Sequence, residues 1–317
     1  CIERSVIRWG GERGGENVRH ACIFLSSITP RLPKAGETIH GTNFFIGFGG
    51  KGSNMCIQAS RLGVKTSIVC KVGSLGGGAK WLLSIKKSYI AVRRENPVRG
   101  GVPGCLSIVL PSKTAESFFV VFFLFFFLKS IESFRALARY IERGEKIDNQ
   151  RELTGRLDTM TYKQSKTVKT VFNPAPALPD LDPEFYQYSD VFCCNESEAE
   201  ILTGIPVVSP VDAGKVGSLL LDRGCKSVII TLGVEGSVVM SVEEPNPKHI
   251  PTRKITAVDT TGAGDSFIGA LAFYMAKCPD LRAEEMVRRA NHIASVSVQL
   301  HGTQPSYAFR KDLPQEL

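Results

Sequence analysis

Apolar positions along this chain follow two rhythms, and the changes of rhythm mark its elements. Residues 42–48 and 65–72 read as strands flanking a helix over 53–62, which stops at Gly63. Residues 170–178 read as a strand running into a loop that Pro174 and Pro176 stop. Residues 190–194 form a short strand that opens a helix at 195, ending near Gly204. An apolar run at 227–233 is a buried-type strand, with a turn beyond it. Phe267, Leu271 and Tyr274, with Ile268 and Met275 beside them, recur at helical spacing and predict an apolar stripe after residue 265. Met286, Val287, Ala290, Ile293, Ala294 and Val298 do the same for a last helix over 283–300, with Gly302 as its stop.

Two stretches break the rhythm, residues 1–30 and 74–168. A first strand over 21–28 lacks strand alternation at its start. A basic run at 80–99 and a Gly/Pro patch at 99–104 precede residues 118–128, which are apolar on every face. That run has about half the length needed to cross a bilayer. As a core strand it is too aromatic and uninterrupted, and as an exposed one it would drive aggregation. Such Phe runs also arise when a pyrimidine-rich non-coding stretch is translated, so mis-spliced sequence is one expectation for this block and for the first residues. Residues 130–143 read as an amphipathic helix, with Ile131, Phe134, Leu137, Ala138 and Ile141 on one side.

Composition narrows the class. With 317 residues, 43% of them hydrophobic, and a mean hydropathy of +0.00, the chain suits one large α/β domain or two smaller ones. It begins at Cys1 without Met, so the true N-terminus is expected upstream, and the short apolar run at 21–25 is a poor signal peptide. Nine cysteines without a C-x-x-C pair predict reduced thiols, a cytoplasmic protein and no structural zinc. The net charge of +8 is local: residues 80–170 hold 17 Lys and Arg against 8 Asp and Glu, leaving the rest near neutral. A nucleic-acid partner is therefore not expected.

Candidate chemistry gathers at Asp259-Thr-Thr-Gly-Ala-Gly-Asp265, just before the stripe of apolar residues. Gly262 and Gly264 allow a tight turn and bring backbone N–H groups close to a ligand. Donors at a helix N-terminus favour an anion. A carboxylate beside a phosphate site repels its guest, so Asp265 has a reason to be there: taking a proton from a hydroxyl that attacks the phosphate. The bland alternative is a Gly-rich turn with an Asp completing the first helical turn. A second Gly-rich stretch, Gly47-x-Gly49-x-x-Gly52, fits a dinucleotide pattern, yet Lys71 stands where the ribose-binding acid belongs. The P-loop pattern fails too, because Gly50-Lys51 is followed by Gly52.

Val258-Asp-Thr-Thr-Gly-Ala-Gly-Asp-Ser-Phe267 and Gly50-Lys-Gly-Ser-Asn54 resemble the signatures of the ribokinase-like (PfkB) sugar kinases. The resemblance covers roughly residues 31–71 and 169–314. It implies a single ribokinase-like domain: a doubly wound, mainly parallel α/β sheet with helices on both faces and a small β lid, the lid being poorly represented here. It further implies transfer of the ATP γ-phosphoryl to a small sugar, with ribose and its 5-hydroxyl as the first expectation. Another small sugar or a nucleoside remains open, as does a catalytically dead nucleotide-binding relative. By the resemblance Asp265 is the base, and the backbone of Gly262, Ala263 and Gly264 is an anion hole. Gly50, Lys51, Gly52, Ser53 and Asn54 face the sugar, although Asn54 also reads as a helix cap. Asn195 and Glu198 lie near the nucleotide phosphates and Mg²⁺, and also read as a helix cap. Thr231, Leu232, Gly233, Val234, Glu235 and Gly236 form the ATP loop, and Asn291 approaches adenine. A monovalent cation such as K⁺ is expected on Asp259, Thr261, Ser297, Leu300, Gly302 and Ser306. His249 reads as a surface or adenine-side residue rather than a catalyst, and His292 and His301, without an acid–nucleophile partner pattern, read as structural or solvent-facing. No membrane partner is implied, a homodimer would need the lid, and the location would be the cytoplasm, with the nucleus as a second site. The family also carries an Asp at the end of its first strand, whereas no Asp occurs here before Asp148.

Overall fold

A computed structural model of the chain describes residues 23–28, 31, 34, 37–64, 66–70, 90–94, 118–123 and 168–317. Its centre is a six-stranded sheet. Four neighbouring strands run parallel: β5 (Phe118–Phe123), β6 (Val168–Asn173), β7 (Val191–Asn195) and β8 (Ser227–Thr231). Two more, β9 (Ser237–Ser241) and β10 (Lys248–Ile250), extend it antiparallel. Away from it, β1 (Ile23–Ile28) pairs antiparallel with β2 (Asn43–Phe48), and β3 (Thr66–Cys70) pairs parallel with β4 (Ile90–Arg94). Among the described residues the α-helices are α1 (Lys51–Arg61), α2 (Pro183–Gln187), α3 (Glu196–Thr203), α4 (Pro210–Asp222), α5 (Ala263–Lys277) and α6 (Ala283–Ser297).

Strand alternation builds a core on each face. Val171, Cys193, Ile229 and Val239 point to one side, where α1, α5 and α6 pack. Their neighbours Phe172, Phe192, Cys194, Val228, Ile230, Val238 and Met240 point to the other, against α2, α3 and α4. Phe172 stacks on Phe185 with ring centroids 5.1 Å apart, and Tyr186 on Phe192 at 5.0 Å. The adjacent cysteines thus face opposite cores, and both are free thiols. Helices on both faces of a mainly parallel sheet is the expected architecture.

Several boundaries and one assignment differ from expectation. The run 118–128 was read as unsuited to a strand, yet Phe118–Phe123 pairs parallel with β6. Parallel strands are commonly covered on both faces and need no polar alternation. The first strand does not join the main sheet, as the family pattern implies, but pairs with β2. The last helix ends at Ser297, and Gly302 lies beyond it in a loop at φ 83°. That loop turns back because Val298 O accepts the N–H groups of Val258 and Asp259 at 2.8 and 3.1 Å. The amphipathic helix at 130–143 and the basic run at 80–99, apart from β4, lie outside the described residues.

The stripe predicted for α5 is an understatement: every residue from Asp265 to Met275 is buried. The helix packs between α1 and α6, and Gly269 is where α1 comes closest. A Cβ there would lie 2.6 Å from Met55 O and 2.8 Å from Gln58 Cβ. Helix propensity alone would favour Gly269→Ala by about 1 kcal/mol. The backbone oxygen cannot give way without moving α1, so overpacking wins, and the variant is expected to be less stable by about 1–3 kcal/mol. A denaturant titration tests this; a variant as stable as the parent would mean that the two helices are not this closely apposed.

Candidate active site

The first turn of α5 carries the densest chemistry. Gly262 precedes it at φ 80°, a left-handed conformation that L side chains rarely adopt, and a Cβ there would lie 2.6 Å from the Tyr307 hydroxyl. That hydroxyl donates to Gly262 O at 3.0 Å, which secures the turn. Ala263 N–H is spent on Thr260 O at 3.2 Å, and Ser266 N–H on Gly262 O at 2.9 Å. Between them, the N–H groups of Gly264 and Asp265 have no acceptor among the described residues. Among the described residues, a Cβ on Gly264 would meet no atom within 4 Å beyond its own helix and chain neighbours, and its φ is not positive. Nothing in the described residues requires a glycine at 264. An anion approaching two free donors at a helix N-terminus would.

Asp265 is 6% exposed, and its Oδ2 accepts a hydrogen bond from Asn54 Nδ2 at 2.7 Å. Burial pushes its pKa above the ordinary aspartate value, while Lys51 and the Asn54 bond pull it back. Asn54 is no helix cap: α1 begins at Lys51, its N-cap is Gly50 at φ 103°, and Asn54 lies in its first turn. Gly52, Ser53 and Asn54 are buried and Lys51 is exposed. Behind Asn54, Gln304 Nε2 lies 3.1 Å from Asn54 Oδ1 and 3.2 Å from Ser53 Oγ.

The carboxyl ends of the parallel strands face the same region. Asn195 closes β7 and registers with Thr231 at the end of β8. Asn195 Oδ1 accepts Glu198 N–H at 2.8 Å and Glu198 Oε2 accepts Asn195 N–H at 3.0 Å, so the capping reading of this pair holds in full. Burial raises the Glu198 pKa, and the charge of Asp265 raises it further, which puts the end of β7 within electrostatic reach of α5. After β8, residues Gly233–Glu235 form a single 3₁₀ turn, in which Val234 is 80% exposed. Gly236 leaves it at φ 92°, with Ile250 O only 2.2 Å from where a Cβ would sit. Leu232 is buried and donates its N–H to Gly236 O at 2.8 Å. His249 is exposed and bonds Glu235 O at 2.6 Å, in keeping with a surface role. Asn291 is engaged at both ends of its amide: Oδ1 accepts from Ser237 Oγ at 2.8 Å, and Nδ2 donates to Ile250 O at 3.2 Å.

The two segments expected to hold a monovalent cation meet through Asp259. Its Oδ1 accepts Thr261 N–H and its Oδ2 accepts Gly302 N–H, both at 2.8 Å. These bonds hold its pKa below the ordinary aspartate value against the opposing effect of burial, the largest single influence. Ser297 and Ser306 turn their hydroxyl hydrogens to Ala294 O and Thr303 O, leaving oxygen lone pairs to accept. Leu300 could offer only its backbone oxygen, because its side chain carries no donor atom. Hard oxygens of this kind suit an alkali cation rather than a transition metal.

Two residues escaped the sequence reading. Asn173 ends β6 with Nδ2 on Cys193 O at 2.8 Å, and its amide opposes the rise of the Glu198 pKa. Gln304 was passed over between two expected cation ligands, because its partners lie about 250 residues away.

This geometry agrees with three comparisons. The sequence model of the pfkB family of carbohydrate kinases matches residues 149–309. The chain is 51% identical over 295 residues to ribokinase of Mus musculus, covering 92% of this chain and 91% of that protein. It belongs to the pfkB family of carbohydrate kinases. A deoxyribokinase of Salmonella typhi is 31% identical over 289 residues, covering 90% of this carbohydrate kinase and 92% of its relative. Among solved structures, Arabidopsis thaliana ribokinase complexed with ribose and ATP superposes with a TM-score of 0.64 at 22% identity, covering 91% and 93% of the two chains. Ribokinase of Thermotoga maritima gives 0.63 at 24% identity, covering 90% and 93%. At those identities the structures speak for the fold, and the carbohydrate-kinase fold is the one described above.

Proposed function

We propose that this chain transfers the γ-phosphoryl group of ATP to the 5-hydroxyl of D-ribose, giving ribose 5-phosphate and ADP. The observation that carries the reading is the buried Asp265 carboxylate, held by Asn54 beside the free N–H groups of Gly264 and Asp265. Asp265 takes the proton from the sugar hydroxyl as its oxygen bonds to the γ-phosphorus and the bond to the β–γ bridging oxygen breaks. The two N–H groups meet charge on the transferring group, at donors already fixed by the helix. Gly50 to Asn54 hold the sugar, and the loop 231–236 receives the nucleotide, with Val234 offering an apolar surface.

Mg²⁺, when bound, neutralises charge across the phosphates. Glu198, in the first turn of α3 and within electrostatic reach of the Asp265 carboxylate, fits a place by its water shell, since this ion is commonly held by phosphates and water. Asp259, Ser297 and Ser306, with backbone oxygens of Thr261, Leu300 and Gly302, would hold K⁺. Asp259 already bonds the backbone at 261 and 302, so a cation there would stiffen the turn that carries Gly262.

One specific observation favours a second sugar. A deoxyribokinase is among the relatives, and the sugar-binding Asp expected at the end of the first strand is absent from this sequence. The test is ADP release by the purified chain with Mg²⁺-ATP and K⁺, comparing D-ribose, 2-deoxy-D-ribose, fructose, adenosine and no acceptor. Ribose-dependent release, diminished when a large organic cation replaces K⁺, is the expected result. Preference for 2-deoxyribose would favour the second reading. No release, with ATP still raising the melting temperature, would overturn both and leave a nucleotide-binding relative without a sugar site.

A further inference from the structure

The two ends of an asparagine amide have nearly the same shape, so packing alone cannot decide which way it points; its hydrogen-bond partners must. Asn54 is 4% exposed and is held at both ends. At 2.7 Å from its Nδ2 lies Asp265 Oδ2, which only accepts when ionised. At 3.1 Å from its Oδ1 lies Gln304 Nε2, which only donates. The two demands agree. Gln304 is itself buried and oriented: its second amide hydrogen goes to Ser53 Oγ at 3.2 Å. That oxygen is free to accept because the Ser53 hydroxyl donates to the carbonyls of Gly49 or Gly50, at 2.7 and 2.8 Å. Arg61 Nη1 pins the Gln304 backbone by donating to its carbonyl at 2.5 Å.

We infer that Gln304 is a positioning residue for phosphoryl transfer, acting through Asn54 to keep the donor end of that amide on Asp265. The inference rests on the reading of Asp265 as the base. Were Asn54 reversed, its Oδ1 would stand against a carboxylate oxygen, and two acceptors repel. Protonation of Asp265 would relieve the clash and remove its capacity to take a proton. The groups that act electrostatically on Asp265 or feel its charge are Lys51 on α1, Glu198 on α3 and Tyr307 beyond Gln304. Among the described residues, Asn54 is the one that donates a side-chain hydrogen bond to it.

Gln304→Met keeps the volume and removes the donor. It is expected to lower kcat by on the order of 10- to 10²-fold, as misplacement of a catalytic group does, and to move the acid limb of kcat/KM to higher pH. Asn54→Ala, which also removes a sugar contact, should lose at least as much, and adding Gln304→Met to it should cost nothing further. A second variant, Gln304→Glu, has the same shape but presents acceptors, so it should lose at least as much kcat as Gln304→Met; melting curves report whether each variant is folded. A folded Gln304→Met with an unmoved acid limb, additive losses in the double variant, or Gln304→Glu with the parent kcat would each overturn the proposal. The last outcome decides even if the Met variant does not fold. Asp265→Asn separates the two layers: turnover surviving in that variant removes the base reading itself, whereas an inactive Asp265→Asn alongside unaffected Gln304 variants removes only the role of Gln304.

Discussion

Asp265→Asn is expected to lower kcat by on the order of 10²–10⁴-fold, the usual contribution of a general base, while ATP still binds. The substitution is nearly isosteric, so α5 and its buried face should be undisturbed. The anion donors at 264 and 265 are backbone groups and survive. What disappears is the acceptor for the hydroxyl proton. The parent enzyme supplies an independent sign of the same group. Burial raises the Asp265 pKa, and the base works only when ionised, so activity falls as pH drops through that raised value. The acid limb should therefore lie above the ordinary aspartate range in the parent and vanish from the residual activity of the variant. Turnover unchanged in Asp265→Asn would sink the assignment.

The second large effect distinguishes two glycines two residues apart. Gly264→Ala should fold with parent-like stability, since an added Cβ meets no atom of the described residues within 4 Å beyond its own helix and chain neighbours. Its methyl group would instead occupy the space over the free N–H donors, and kcat/KM for ATP should fall by on the order of 10²-fold, comparable to losing one anion-hole donor. Gly262→Ala should do the opposite at first sight. At φ 80°, and 2.6 Å from the Tyr307 hydroxyl, the new Cβ strains the backbone and displaces a buried side chain. A stability loss of about 1–3 kcal/mol is expected, with activity falling as a consequence. Thermal melting and steady-state kinetics on the pair check this. A Gly264→Ala variant with full activity would mean that phosphate does not approach this turn.

Much of the fold was legible because its signals are local. The strands β7 and β8 are short apolar runs bounded by polar residues, and Gly63 and Gly204 stand where their helices end, each at positive φ. The residues around 259–265 were legible because glycines beside a carboxylate are an unusual combination just before a helix. What was not legible is what the rest of the chain imposes. The periodicity of α5 suggested one apolar face, but packing between α1 and α6 buries Ala270 and Ala272 along with it. Asn54 read as a sugar contact with a cap as the alternative, and its bond to Asp265 went unseen because that partner is 211 residues distant. Gln304 carried no local signal at all. The Phe run was misjudged by treating polar alternation as a requirement, which parallel strands do not impose.

The attachment of residues 304–308 to α1 has a consequence for how the enzyme comes into being. Gln304 reaches Asn54 across 250 residues, Ala308 accepts from Gln58, and Arg61 holds the carbonyls of Gln304 and Tyr307. Chains are made from the N-terminus, and contacts so far apart in sequence form late. A nascent polypeptide can therefore assemble the central sheet well before the proposed catalytic arrangement closes, and on that reading ATP is not committed to sugar until translation has passed the residues that complete it.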